Sequence, residues 1–175
     1  LHMLPSIRSV KHLGKRSELD PAAYQLGRKY TGGSYFRAYA AGVRAFRVPG
    51  VGFRDPKLVT ITLRECGKGH WPARDSNVLQ WVNAAQDLLA LGYRVVFVRD
   101  TRLADAPLGE FEIAPEASRH LLKRAQLYRR AACNLFVSNG PAWFALSLDV
   151  SMLMFRPTCE DANKSSKAES MASEG

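Results

Sequence analysis

The strongest constraint on the fold is the run Leu58-Val59-Thr60-Ile61-Thr62-Leu63, six uncharged residues of which four are β-branched. A short run with no polar alternation is the pattern of a strand buried on both faces. Such a strand needs a covering layer on each side, and the sequence supplies helices to make them. Residues 77–91 place apolar side chains at 78, 81, 82, 85, 88 and 89, which is one face of an amphipathic helix. Gly92 follows as its C-terminal stop. Residues 94–98 read as a second buried strand and residues 111–113 as a short third. A second amphipathic helix is predicted over 115–132, a fourth strand over 134–138, a short helix over 142–148 and a fifth strand over 151–155.

Strands alternating with helices in this way predict a mainly parallel sheet with helices on both faces. The expected fold class is therefore α/β, a Rossmann-like three-layer domain of about five strands spanning residues 58–157. A basic, partly helical lead-in over residues 1–57 precedes it. Short helices are expected there at 21–29, capped by Asp20, and at 35–46. Residues 158–175 are Ser, Ala, Lys and Glu with almost nothing apolar, the composition of a disordered tail.

Charge is unevenly placed. Residues 1–57 hold 11 Lys/Arg against 3 Asp/Glu, residues 58–157 hold 12 against 9, and residues 158–175 hold 2 against 4. The net +9 of the chain therefore resides mostly in its first third. Nucleic acid, an acidic membrane surface, a phosphorylated ligand or an acidic partner would each suit that excess, as would plain solvation. No apolar run is long enough to span a bilayer, and no signal-peptide pattern opens the chain. Cys66, Cys133 and Cys159 are odd in number and lack zinc spacing, so neither a disulfide framework nor a structural zinc is expected. That usage fits the reducing cytoplasm.

Ligands of open parallel sheets bind beyond the carboxyl ends of the strands, where the strand order reverses. The rule selects the loops 64–77, 99–102 and 138–142. The first carries Arg64 and Arg74 with Lys68 and His70, and it ends in Asp75-Ser76-Asn77 at a helix start. Guanidinium groups beside such a start suit an anion, and Asp75 or Ser76 equally suits a helix cap. His70 reads as an acid–base group or as a solvated loop histidine. The Gly67-Lys68-Gly69 triplet lacks the third glycine of a dinucleotide fingerprint, and no GxxxxGK[ST] loop is present. The last loop, Ser138-Asn139-Gly140-Pro141, joins a buried strand directly to a helix. Its small residues let a ligand phosphate approach, although an ordinary strand-to-helix turn has the same composition.

The strand–loop–helix of 58–91, the strand at 92–98 and the strand at 134–138 with its Asn-Gly-Pro turn resemble the C-terminal half of GT-B glycosyltransferases. The likeness is to the bacterial heptosyltransferase-type branch, and it covers residues 58–157. It implies that this half binds a nucleotide-diphosphate sugar, with no metal or other cofactor. Ser138, Asn139, Gly140 and Pro141 would then be donor-site residues, together with Ser76 and Asn77 at the helix start. Arg64 and Arg74 would neutralise phosphate, and Arg99, Asp100 and Thr101 would line the base or ribose side. The resemblance identifies no catalytic base. The family's N-terminal acceptor domain exceeds 57 residues, so the chain is expected to be a fragment or a half that has lost its partner. The competing expectation is a non-catalytic basic module. Arg37, Arg44, Arg47 and Arg54 lie among Tyr35, Phe36, Tyr39, Phe46 and Phe53, a mixture that suits RNA or a partner protein.

Overall fold

The computed structural model describes residues 48–67 and 75–155. The helices expected at 21–29 and 35–46 and the tail expected at 158–175 lie outside the described residues. Five strands, β1 (Asp55–Thr62), β2 (Arg94–Val98), β3 (Glu112–Ile113), β4 (Ala131–Val137) and β5 (Met152–Phe155), form one sheet in the order β3-β2-β1-β4-β5. Every neighbouring pair is parallel. Helix α1 (Val78–Ala90) joins β1 to β2, α2 (Pro115–Arg119) and α3 (Leu121–Arg130) join β3 to β4, and α4 (Gly140–Leu146) joins β4 to β5.

The two-residue period of a strand divides the core into two layers. Val59, Ile61, Val95, Phe97, Leu135 and Val137 point to one face, where they pack with Trp81 and Ala85 of α1. Val98 and Phe136 point to the other and meet Ala117, Ala125 and Tyr128 of α2 and α3, with Ala142 and Ala145 of α4. The result is the Rossmann-like three-layer α/β domain expected from the sequence. The α1 layer ends short of the sheet edge. Phe155 on β5 meets the Trp81 ring edge-on at 5.2 Å, yet Phe155 and its neighbour Leu153 remain exposed.

Helix α1 closes as anticipated. Gly92 has a φ of +79°, its N–H donates to Leu89 O at 2.9 Å, and Tyr93 N–H donates to Leu88 O at 3.0 Å. This pair of bonds satisfies carbonyls that the helix end would otherwise orphan, in a conformation that glycine adopts without Cβ strain.

Two boundaries differ from the expectation. The helix over 115–132 is interrupted at His120, which is extended at φ −118° and ψ 116°. The Arg124 guanidinium folds back onto Ala117 O at 2.7 Å and Ser118 O at 3.0 Å, the carbonyls that a continuous helix would bond to residues 121 and 122. The same helix ends at Arg130, because Ala131 already pairs with Asp55 as the first residue of β4. Strand β1 correspondingly begins at Asp55, three residues before the expected start. Just ahead of it, Arg54 donates to Ala131 O at 3.3 Å, to Ala132 O at 2.7 Å and to Ser151 Oγ at 2.9 Å. That side chain pins the end of the lead-in to β4 and β5.

A polar network runs through the layer between the sheet and α3. Thr60 Oγ1 donates to Asn134 Oδ1 at 2.6 Å, and Asn134 Nδ2 donates to Tyr128 O at 3.1 Å and to Ser151 O at 3.0 Å. The Tyr128 hydroxyl and Thr62 Oγ1 share a bond at 2.7 Å. Thr60, Asn134 and Tyr128 have no solvent exposure, so these bonds replace the water that the groups lost. Burial pushes the Tyr128 phenol up to about 12 from 10.0. In the unfolded chain the phenol loses its proton from pH 10, while the folded protein keeps it to about pH 12. Stability should therefore be unaffected by this group below pH 10. It should then fall by up to about 1.4 kcal/mol per pH unit between 10 and 12. Urea melts of the parent and of Tyr128→Phe across that range check this, because the variant should lack that part of the slope.

Candidate functional site

The strand order sends the chain from β1 outward to β2 and from β4 outward to β5. The loops after these two adjacent strands thus part in opposite directions, which makes this the switch point of the sheet. Two of the three loops selected from sequence, 64–77 and 138–142, flank it. The third, 99–102, follows β2 one strand away.

The loop after β1 is clasped at its base. Arg64 N–H donates to Ser76 Oγ at 2.9 Å, and Ser76 N–H donates to Arg64 O at 2.8 Å. Arg64 Nε lies 3.2 Å from Asp75 Oδ1, while Asp75 Oδ2 accepts the Gly67 N–H at 2.9 Å. Gly67 makes this turn with a φ of +74°. Asp75 and Ser76 therefore close the loop, and the helix cap is Asn77, whose side chain accepts Gln80 N–H at 3.3 Å. Arg74, with Lys68 and His70, lies outside the described residues.

Arg99 is committed to the protein. Its guanidinium binds both carboxylate oxygens of Glu65, at 3.1 and 2.5 Å, and donates to Ala106 O at 2.9 Å and Pro107 O at 3.3 Å. The two charged side chains are each only 9% exposed. Hydrogen bonding to Glu65 raises the Arg99 pKa above its ordinary value, against the opposing effect of burial. The pair ties the loop after β1 to the loop after β2. Next to it, Cys66 Sγ donates to Asp100 Oδ2 at 3.7 Å. Burial pushes the Cys66 thiol up, with Arg64 opposing and Asp100 adding, which keeps it a thiol rather than a nucleophilic thiolate at neutral pH. Thr101 Oγ1 donates to Ser118 O at 3.3 Å and so faces the start of the β3–β4 connection.

On the other side of the switch point, Ser138 and Asn139 are buried, and Asn139 Oδ1 accepts Ala142 N–H at 2.9 Å as the cap of α4. Pro141 stands in the first turn of that helix, where its missing N–H has no bond to lose. Gly140 has no positive φ, so conformation does not require glycine here. The position does offer space, because a Cβ added at Gly140 meets no atom within 4 Å. The chain thus offers exposed backbone beside the C-terminal end of the central strand pair.

The structure brings Arg64, Ser76 and Asn77 to one side of the switch point and Ser138, Asn139, Gly140 and Pro141 to the other. Arg99, Asp100 and Thr101 stand over β2. Sequence reasoning missed Glu65 and Cys66. Glu65 was detectable in principle as a carboxylate just past β1, matching a guanidinium just past β2, once Thr62 and Val98 are known to be register partners. Among the described residues no group of three His, Cys, Asp or Glu side chains is placed to hold a metal ion. Among them, too, no helix is long and apolar enough to cross a membrane. Comparison with protein-family models, curated proteins and solved structures found no match to this chain.

Proposed function

We propose that this domain binds a nucleotide-diphosphate sugar at the switch point, as the donor half of a metal-independent GT-B-type glycosyltransferase. The observation that carries the proposal is the placement of the loops after β1 and β4 on either side of the point where the strand order reverses. Gly140 leaves room there for a diphosphate to lie against backbone. Arg64 and Arg74 supply counter-charge to the diphosphate as it departs, the electrostatic role that positioned cations play in such transfers. Ser76 and Asn77 form the near wall, and Ser138, Asn139 and Pro141 the far one. Asp100 and Thr101 line the ribose side. Arg99 acts indirectly, because its bonds to Glu65 hold the two loops together.

A thermal-shift panel of GDP, UDP, ADP, CMP, a dinucleotide and a short RNA, at low and moderate salt, tests the proposal. One nucleoside diphosphate should raise the melting temperature selectively and keep doing so at moderate salt, because a ligand bound only by the folded state stabilises it. A response to RNA alone, collapsing steeply with salt, would refute the donor-site assignment. Gly140→Val provides the local control. Its Cβ branch enters open space, so stability should change by no more than about 0.5 kcal/mol. Affinity for the selected diphosphate should fall at least about tenfold, roughly the 1.4 kcal/mol that a blocked approach costs at minimum. Equal affinity in a normally folded Gly140→Val protein would move the ligand elsewhere.

A further inference from the structure

The two edges of the sheet are built differently. Strand β3 is two residues long, and its exposed Glu112 is held by the Arg94 guanidinium at 2.9 and 3.0 Å. A short, charged edge of this kind resists pairing with another chain. Strand β5 is the opposite. Met152-Leu153-Met154-Phe155 carries no charge and no proline, and among the described residues no strand lies beyond it. Two of its side chains are open as well, Leu153 at 56% and Phe155 at 46% exposure.

The ladder to β4 fixes which backbone groups of β5 face outward. Ser151 O accepts the Asn134 N–H at 3.0 Å, so residue 151 is turned toward β4. Successive residues of a strand turn their N–H and C=O to opposite sides. Residues 153 and 155 therefore also bond to β4, while 152 and 154 present theirs to the open edge. Side chains alternate too. Leu153 and Phe155 share the face of Trp81, and Met152 and Met154 pack on the other face against the core under α3 and α4.

We propose that β5 pairs with β5 of a second copy of this chain, antiparallel about a two-fold axis at Leu153. In that register Met152 and the partner's Met154 exchange both N–H···O=C bonds, and Met154 does the same with the partner's Met152. Leu153 stands directly opposite the partner's Leu153 on the face of Trp81, and Phe155 lies diagonal to it. The chemistry of the edge selects this occupant. A charged strand would set its charge against Leu153 and Phe155, or against the methionines, with no counter-charge. Among the described strands β1, β2 and β4 are interior and β3 carries Glu112, so the accessible strand that matches β5 is β5 itself. Pairing like with like also closes at two copies, whereas β5 on β3 would build an open chain of subunits. The two sheets then run on as one, and their switch points open at opposite ends of it.

Sedimentation equilibrium of the full chain over a wide range of concentration tests this. The parent should show a reversible equilibrium between one and two copies. Leu153→Lys should weaken dimerisation at least about thirtyfold, since both copies lose an apolar contact and gain a facing like charge. Leu153 is exposed, so the variant should keep the parent's circular dichroism. Cross-linking reads the register independently. At Leu153→Cys the two copies face each other as a non-hydrogen-bonded pair with Cα atoms about 4.5 Å apart, within reach of a disulfide. At Phe155→Cys they are offset by four residues, roughly 13 Å, and out of reach. With both variants made in a Cys159→Ser background, mild oxidation should cross-link the first and not the second. A parent that stays monomeric at every concentration overturns the proposal. So does a dimer that Leu153→Lys leaves intact, or one that cross-links equally through position 155.

Discussion

Asn134→Leu is expected to cost about 4 kcal/mol of stability, among the largest losses from a single substitution in this domain. Leucine matches the volume but removes every bond the amide makes. The Thr60 hydroxyl loses its acceptor at 2.6 Å, and Tyr128 O loses its donor at 3.1 Å. Each is buried, and a buried polar group left unpaired costs about 1–3 kcal/mol. Ser151 O is spared, since it still accepts the backbone N–H of residue 134 at 3.0 Å. A second substitution makes the mechanism testable. In the parent, Thr60→Val strands Asn134 Oδ1 and should cost about 1–2 kcal/mol. In the Asn134→Leu background the same change removes a stranded hydroxyl and should restore about 1–2 kcal/mol. Urea denaturation of the four proteins reads the reversal of sign. Additive losses would show that packing, not the hydrogen-bond network, holds this layer together.

The second large effect is expected at Arg99 and Glu65. Arg99→Met leaves the Glu65 carboxylate at 9% exposure without an ion pair to any described residue, and Glu65→Leu leaves a guanidinium whose described partners are carbonyls. Breaking a desolvated pair from one side typically costs about 3–5 kcal/mol. About 3 kcal/mol is expected here for either single change. The double variant Glu65→Leu/Arg99→Met strands neither charge and should return to within about 1 kcal/mol of the parent. Denaturation midpoints check the cycle, and two single losses that simply add would place the pair among weak surface bridges. If the proposed donor site is right, nucleotide affinity should stay low in the double variant, which repairs stability without rebuilding the tie between the β1 and β2 loops.

The runs at 58–63 and 94–98, uncharged apart from Arg94 at the start of the second, were legible as buried strands because a parallel sheet covered on both faces demands that composition. Helix α1 was legible to within a residue at each end, since its apolar spacing and Gly92 agree. The helix over 115–132 was misread for local reasons. Arg129-Arg130-Ala131-Ala132 continues a helical pattern of good helix formers, and the distant Arg54 and Asp55 draw Ala131 into the sheet. The break at His120 depends on where the Arg124 side chain folds, which spacing does not encode. At the candidate site, the sequence located the loops through the strand-end rule, but not the bonds within them. Asp75, Ser76 and Arg64 form a clasp that needs residues twelve positions apart to meet. Arg99 stood out as a cation beyond a strand, yet its engagement with Glu65 requires β1 and β2 to be neighbours.

The crossover from β3 to β4 also sets an order of assembly. Strands β1 and β2 pair over the shorter separation, Leu58 with Arg94, and can gather early, whereas the Thr60–Asn134 bond spans 74 residues of chain. Bringing β4 to the centre of the sheet carries the larger loop-closure entropy, and the Thr60–Asn134 bond is expected to close only once the folding barrier has been crossed. Contacts formed after the barrier resist unfolding without hastening folding. The asparagine at the heart of the sheet is then a lock on the finished structure, governing how long the domain stays folded rather than how fast it gets there.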